Sequence, residues 1–234
     1  MRIQGMIAAA AAAATIWAAS AVRAEPVIWG IQVEQAEYRV DEGADQFAWD
    51  FDVHIGTDEL KAVWRSEAEY ARGENAFEVL ENQIRLQTPV SDFFDAVAGL
   101  RIDTPEGANR VHGVVGLHGL TRQWFEIDAD LFVSDHPSFR FEVEYEGLIT
   151  NRLIFVPSIE FDLPLTEDPA AGNGAFGPTL EIGGRLSYDL VDRLISPYVG
   201  VHYERKFGGT ADFARASGEE PGTVFFVIGT RFMF

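Results

Sequence analysis

Apolar and polar residues alternate along most of this chain. From Phe47, one phase holds Phe47, Trp49, Phe51, Val53 and Ile55, while Ala48, Asp50, Asp52 and His54 fill the other. Successive side chains of a strand point to opposite faces, so this run at period two predicts a strand rather than a helix of period 3.6. The pattern returns in Leu80, Ile84 and Leu86 against Glu81, Gln83 and Arg85. It returns in Phe125, Ile127, Ala129, Leu131 and Val133 against Glu126, Asp128 and Asp130, and in Phe139, Phe141, Val143 and Tyr145 against Arg140, Glu142, Glu144 and Glu146. The last run sets Val224, Phe226, Ile228, Phe232 and Phe234 against Gly229 and Arg231.

With a first strand inside residues 27–40, the runs number twelve. In that first strand the apolar residues sit at odd positions through Val33 and at even positions from Ala36, which predicts a bulge or a short segment ahead of the main sheet. An even number of antiparallel strands of about 9–11 residues suits a closed barrel crossing an outer membrane. The expected fold is therefore all-β, a closed antiparallel transmembrane barrel of about twelve strands with short periplasmic turns and longer extracellular loops. A periplasmic N-terminus puts outer loops at 41–43, 73–75, 104–109, 134–138, 166–177 and 207–222, and inner turns at 56–59, 88–92, 121–123, 150–151 and 191–196. The two longest connections fall in the outer set, as such barrels require.

Period two does not say which face is wet, so a secreted sandwich or lipocalin-like barrel with an apolar core is the soluble alternative. Two features favour a polar interior. The polar phase is densely charged, and Trp49, Trp64, Tyr70, Trp124, Tyr145 and Tyr198 fall near strand ends, like an interfacial girdle.

Composition adds an address. Arg2, the apolar run from Met6 to Trp17 and the small-residue site Val22-Arg23-Ala24 read as a secretory signal peptide over 1–24, leaving one barrel domain at 25–234. Localisation in the outer membrane of a Gram-negative bacterium follows, with lipid as a partner. The chain has 18 Lys+Arg against 37 Asp+Glu, or −19; loss of Arg2 and Arg23 with the leader leaves 16 against 37, or −21. Such a charge argues against a nucleic-acid partner. There is no Cys, which excludes disulfides, thiolate metal sites and a Cys nucleophile.

Much of the negative charge falls on one phase of three consecutive strands. Glu126, Asp128, Asp130, Glu142, Glu144, Glu146, Glu160 and Asp162 stand there against Arg140 alone. Facing a lumen, such a wall repels anions and concentrates cations. The same acids could equally pair across the lumen with Arg65, Arg85, Arg101, Arg185 and Arg231 and rigidify a closed barrel.

Several stretches resemble the copper resistance protein B family of bacterial outer-membrane proteins. They are the run from Ser196-Pro197-Tyr198-Val199 through Lys206-Phe207-Gly208-Gly209 to Arg215, the run from Glu144-Tyr145-Glu146-Gly147 to Ile154, Trp124-Phe125-Glu126, and Trp64-Arg65-Ser66-Glu67-Ala68-Glu69. The resemblance implies an outer-membrane barrel for copper tolerance that binds or passes copper ions as its cargo, and it leaves room for a periplasmic copper-handling protein as partner. Members of that family often carry a Met- and His-rich N-terminal segment. Here residues after 24 lead almost directly into the first strand, and Met233 is the sole methionine beyond the leader, so the barrel itself is expected to carry the copper chemistry.

Imidazole and carboxylate then supply the ligands. His54, His112, His118 and His202 fall in the lumen-facing phase and are the candidate copper ligands; His136 falls in an outer loop. His112 and His118 would lie about 20 Å apart along one strand, so any site must combine strands. The segment 206–222, with Lys206, Gly208, Gly209, Asp212 and Arg215, is a candidate lid or constriction. No enzyme activity is expected. Two other classes remain open, a general cation or small-solute pore and a barrel hydrolase, either a Ser-His phospholipase, for which Ser134 and His136 merely share one loop, or an acid-pair protease.

Overall fold

The computed structural model describes residues 26–41, 45–105, 108–191 and 193–234. The leader expected at 1–24 lies outside the described residues, as do parts of the loops expected at 41–43 and 104–109 and of the turn expected at 191–196.

Alternation of β-branched and aromatic residues with polar ones favours a pleated surface with two different faces. The chain forms β1 (Ile28–Val40), β2 (Gln46–Gly56), β3 (Lys61–Ala71), β4 (Ala76–Pro89), β5 (Phe94–Asp103), β6 (Arg110–Leu120) and β7 (Phe125–Val133). There follow β8 (Ser138–Tyr145), β9 (Gly147–Leu148), β10 (Leu153–Pro164), β11 (Thr179–Tyr188), β12 (Ile195–Lys206), the helix α1 (Gly208–Ser217) and β13 (Gly222–Met233). The short β9 continues β8 past a break at Glu146, and both pair with β10, so together they make one stave of a twelve-stave wall.

Each stave pairs antiparallel with its chain neighbour, and β1 pairs with β13 from Gln32 opposite Met233 to Val40 opposite Phe226. That last pairing closes the barrel and removes the free edge that lipid could not hydrogen-bond. The change of phase near the start is a bulge within β1: against β2, Val33 faces Phe51 and Gln35 faces Asp50, which leaves Glu34 over. β1 is therefore a full stave and not a segment ahead of the barrel.

Exposure decides which face is wet. Ile84 is 61% exposed, Leu100 57% and Phe226 70%, whereas Glu81, Gln83 and Arg85 are at most 1% exposed inside the wall. An apolar belt of this kind costs roughly 25 cal/mol per Å² in water, so hydrocarbon is its solvent and the soluble alternative falls. Aromatic residues gather near both rims. Phe47, Trp49, Phe77 and Tyr70 stack in succession with ring centroids 5.1–6.1 Å apart at the outer rim, and Phe125 meets Tyr145 at 5.0 Å near the inner one. Tyr198 does not belong to this girdle. It is 3% exposed and points inward, where its hydroxyl donates to Glu37 at 2.9 Å. The inward phase of β12 runs Ser196, Tyr198, His202, so an aromatic ring there packs in the lumen against Phe225 and Val227.

Candidate functional site

Inward phases from opposite sides of the barrel meet in the lumen, and arginines make the crossings. Arg140 of β8 reaches Glu160 at 2.9 Å, Glu67 at 3.0 Å, Asp162 at 3.3 Å and Glu81 at 3.4 Å. Glu67 lies on β3, five staves round the ring. From β3, Arg65 contacts Asp52 at 3.2 Å and crosses to Asp128 of β7 at 3.4 Å. Arg85 of β4 hydrogen-bonds Asp130 and stands 3.6 Å from Asp128, which is ion-pair range but beyond a hydrogen bond. Arg231 of β13 crosses to Glu144 at 2.9 Å and Glu146 at 3.3 Å. On the far side, Arg185 of β11 grips Glu37 of β1 at 2.8 Å, and Arg39 joins Glu37 to Glu69.

The acidic strands are thus partly balanced. Of the eight acids read from the sequence, Asp128, Asp130, Glu144, Glu146, Glu160 and Asp162 have arginine partners. Among the described residues Glu126 has a single ion-pair partner, His118 at 4.0 Å. Glu142 makes no side-chain hydrogen bond or ion pair among the described residues, and nor does Asp50 of β2; both border Arg65 in the cavity walls. Arg101 and Arg185 serve other acids, Glu81 with Asp103 and Glu37 respectively.

Among the described residues, two adjoining cavities lie between these crossings. The larger, about 40 Å³, has Arg39, Arg140, Arg185, Glu69, Glu181 and His202 in its wall. A smaller one of about 10 Å³ is walled by Glu34, Glu126, Asp128, Glu144 and three residues it shares with the larger, Asp50, Arg65 and Glu142. A water needs roughly 10–15 Å³ of such space, so the pair has room for only a few waters or one small partly dehydrated ion.

The four lumen histidines are dispersed. His118 places Nδ1 3.1 Å from Asp128 and Nε2 4.0 Å from Glu126, beside the smaller cavity. His112 places Nε2 3.4 Å from Asp103 and Nδ1 2.9 Å from the Ser134 hydroxyl. Facing the larger cavity, His202 is 4% exposed with Nε2 3.4 Å from Glu181 and no hydrogen bond. His54 packs its ring against Gly30, where a Cβ would come within 2.6 Å of it. Among the described residues no three His, Asp or Glu side chains form a cluster able to hold a metal ion.

One inward feature escaped the alternation. Phe132, 0% exposed, clusters with Val97 and Val114 inside the lumen. Arg101 and Arg140 lie 4.3 and 5.6 Å from its ring centroid, so its π face shares in holding the guanidinium groups. The residue beside an alternating acidic run is the only hint the chain offers.

The outer rim is stitched separately. Arg110 donates to both carboxylate oxygens of Asp168 at 2.7 and 2.8 Å, and these hydrogen bonds hold the Asp168 carboxyl below the usual carboxylate range. His136 sits 3.2 Å from the Glu167 carbonyl. Within the candidate lid, α1 rests on the preceding outer loop. Thr210 donates to the Gly177 carbonyl at 2.5 Å and accepts the Gly174 N–H at 3.0 Å, and a Cβ on Gly174 would strike the Gly209 backbone at 2.4 Å. Lys206 reaches Glu219 at 3.5 Å, Gly208 starts the helix at φ 54°, and the Asp212–Arg215 pair at 2.8 Å faces solvent.

Comparison with known proteins follows the same geometry. The fold is shared with the NanC porin, with a TM-score of 0.57, 14% identity and coverage of 88% of this chain and 99% of that one. Copper resistance protein B of Escherichia coli is 33% identical over 206 residues, covering 87% of this chain and 69% of that protein. A copper resistance protein B homolog of Pseudomonas syringae pv. tomato is 34% identical over 203 residues, covering 86% and 68%. A family model described as copper resistance protein B precursor matches residues 27–234. This outer-membrane barrel therefore belongs to the copper resistance protein B family.

Proposed function

We propose that this protein serves copper tolerance by binding copper ions in its lumen and passing them through the outer membrane, with no catalytic step. The observation that carries this reading is the smaller lumen cavity, walled by six carboxylates against Arg65 and adjoined by His118. Carboxylate oxygens and imidazole nitrogens suit Cu(II), and the carboxylates beside His118 and His202 would orient the rings that bind it. Copper is cargo here, so dispersed weak contacts from His54, His112, His118 and His202 suit an ion that must leave again. Export through a cleaved leader at 1–24 and exchange with a periplasmic copper-handling protein complete the proposal, and the α1 segment serves as a fixed outer lid. The test is copper binding by the refolded barrel after changing the four histidines to Ala. At least a tenfold loss of affinity, on the order of one lost imidazole ligand, is expected, and unchanged affinity rejects the histidine site.

A specific observation favours a second reading as a hydrolase. Ser134 Oγ, His112 and Asp103 stand in the order of a nucleophilic triad, with contacts of 2.9 and 3.4 Å. Against it, Asp103 also accepts from Arg101 at 2.8 Å, and the Ser134 hydroxyl takes the His136 N–H at 3.0 Å. Labelling of the folded protein by a fluorophosphonate probe, lost in Ser134→Ala, would establish this reading, and no labelling would dismiss it.

A further inference from the structure

We propose that Arg65 is the partition of the lumen, the residue that decides which ions pass between an outer and an inner chamber, and that Asp50 and Glu142 form the step beside it. Strand direction sets the levels of the lumen. With the short turns periplasmic, β3 rises from Lys61 to Ala71 and β8 descends from Ser138 to Tyr145, so Arg140 lies in the outer half of the lumen and Arg65 below it. The larger cavity, with Arg140 in its wall, is the outer chamber; the smaller, with Glu34, Glu126 and Glu144, is the inner one.

The two chambers have three wall residues in common, Asp50, Arg65 and Glu142. Arg65 is held across the lumen by Asp52 on its neighbour strand and Asp128 four staves away, and its side chain is only 16% exposed. A guanidinium fixed there fills the passage and places a positive charge in it, opposing any cation that moves from one chamber to the other. The carboxylates of Asp50 and Glu142 border the same point and, among the described residues, form no close ion pair with an arginine. They offset that barrier for a cation small enough to lie between them, while anions and bulky hydrated solutes are refused.

This inference rests on passage through the lumen, which is part of the function proposed above, but it is tested without copper. The intact refolded barrel in planar bilayers with potassium chloride should show little current. Arg65→Gln should raise cation conductance on the order of tenfold, the effect of deleting one partly desolvated charge from a narrow path. Because Arg65→Gln also unpairs Asp52 and Asp128, folding is checked by heat-modifiable gel migration, and Asp50→Asn with Glu142→Gln supplies a variant that breaks no ion pair. That double variant should lose cation over anion selectivity in whatever current remains. An open wild-type pore whose conductance Arg65→Gln leaves unchanged, or unaltered selectivity in the Asp50/Glu142 variant, overturns the proposal. Copper binding by the wild-type barrel is measured in parallel. Failure to bind copper with an opened Arg65→Gln pore would sink the copper reading and keep the partition, and copper binding with an Arg65→Gln pore that stays shut would do the reverse.

Discussion

The arc of β7 to β10 and the arc of β3 to β5 differ sharply in what their inner faces carry. The first holds Glu126, Asp128, Asp130, Glu142, Glu144, Glu160 and Asp162 around one Arg140; the second holds Arg65, Arg85 and Arg101 among its acids. Neither arc is balanced by its own neighbours. They are balanced through the lumen, where Arg65 and Arg85 reach Asp128 and Asp130, and Arg140 returns to Glu67 and Glu81. Charge that looks like a repulsive wall along the chain becomes, in the closed ring, a set of crossbars with a residue of unpaired acid. The crossbars hold the lumen narrow, and the unpaired acids give it a sign.

The largest effect belongs to the most buried crossing. Arg85 and Asp130 have side chains 0% and 3% exposed, so Arg85→Met should cost about 3–5 kcal/mol by leaving buried carboxylates uncompensated. Urea unfolding of the barrel in lipid vesicles measures it, and Arg85→Met combined with Asp130→Leu should recover much of the loss. If the double variant is as unstable as the single one, the crossing is not an ion pair in the energetic sense.

Arg231 and Glu144 are each 15% exposed. Arg231→Gln should cost about 1–2 kcal/mol, between buried and surface ion pairs, by the same unfolding measurement. A loss equal to that of Arg85→Met would mean that burial does not rank the crossings.

The smallest effect belongs at the rim, where Arg110 and Asp168 tie β6 to the loop before β11 in contact with water. The Asp168 carboxyl titrates below its ordinary range in the folded protein. A depressed folded value means that the stabilisation is complete above the unfolded value of about 3.9 and is lost as the pH falls through the folded one. Amide exchange at Asp168 and Asn173, whose backbones bond to each other at 2.7 and 2.9 Å, should therefore speed up only in acid once the intrinsic pH dependence is removed. Asp168→Asn should show that faster exchange at neutral pH with no further acid change; an unchanged acid response would place the titration elsewhere.

Much of this was legible along the chain. The twelve staves and a change of phase in β1, open there to a bulge or a leading segment, follow from alternation, because a strand exposes its two faces locally. Tyr198 and Phe132 mark where that logic stops. An aromatic ring is acceptable to lipid and to a packed lumen alike, and only the register of β12 and the guanidinium groups around Phe132 settle its side. The histidines show the same limit. Their phase was readable, but their distances from one another were not, and the barrel sets His54, His112, His118 and His202 beside different partners.

The sequence by itself determined the strand count, the division of each strand into two faces and the excess of acid, while only the closed ring decided which face meets lipid. Tertiary structure alone decided which acids are neutralised and which are left facing the lumen. Arg65 is 63 residues from Asp128 and Arg140 is 73 from Glu67, and only closure of the ring brings such charges within reach of each other. Coulomb attraction in the half-buried lumen then selects the pairs, and the acids it leaves over lie next to Arg65.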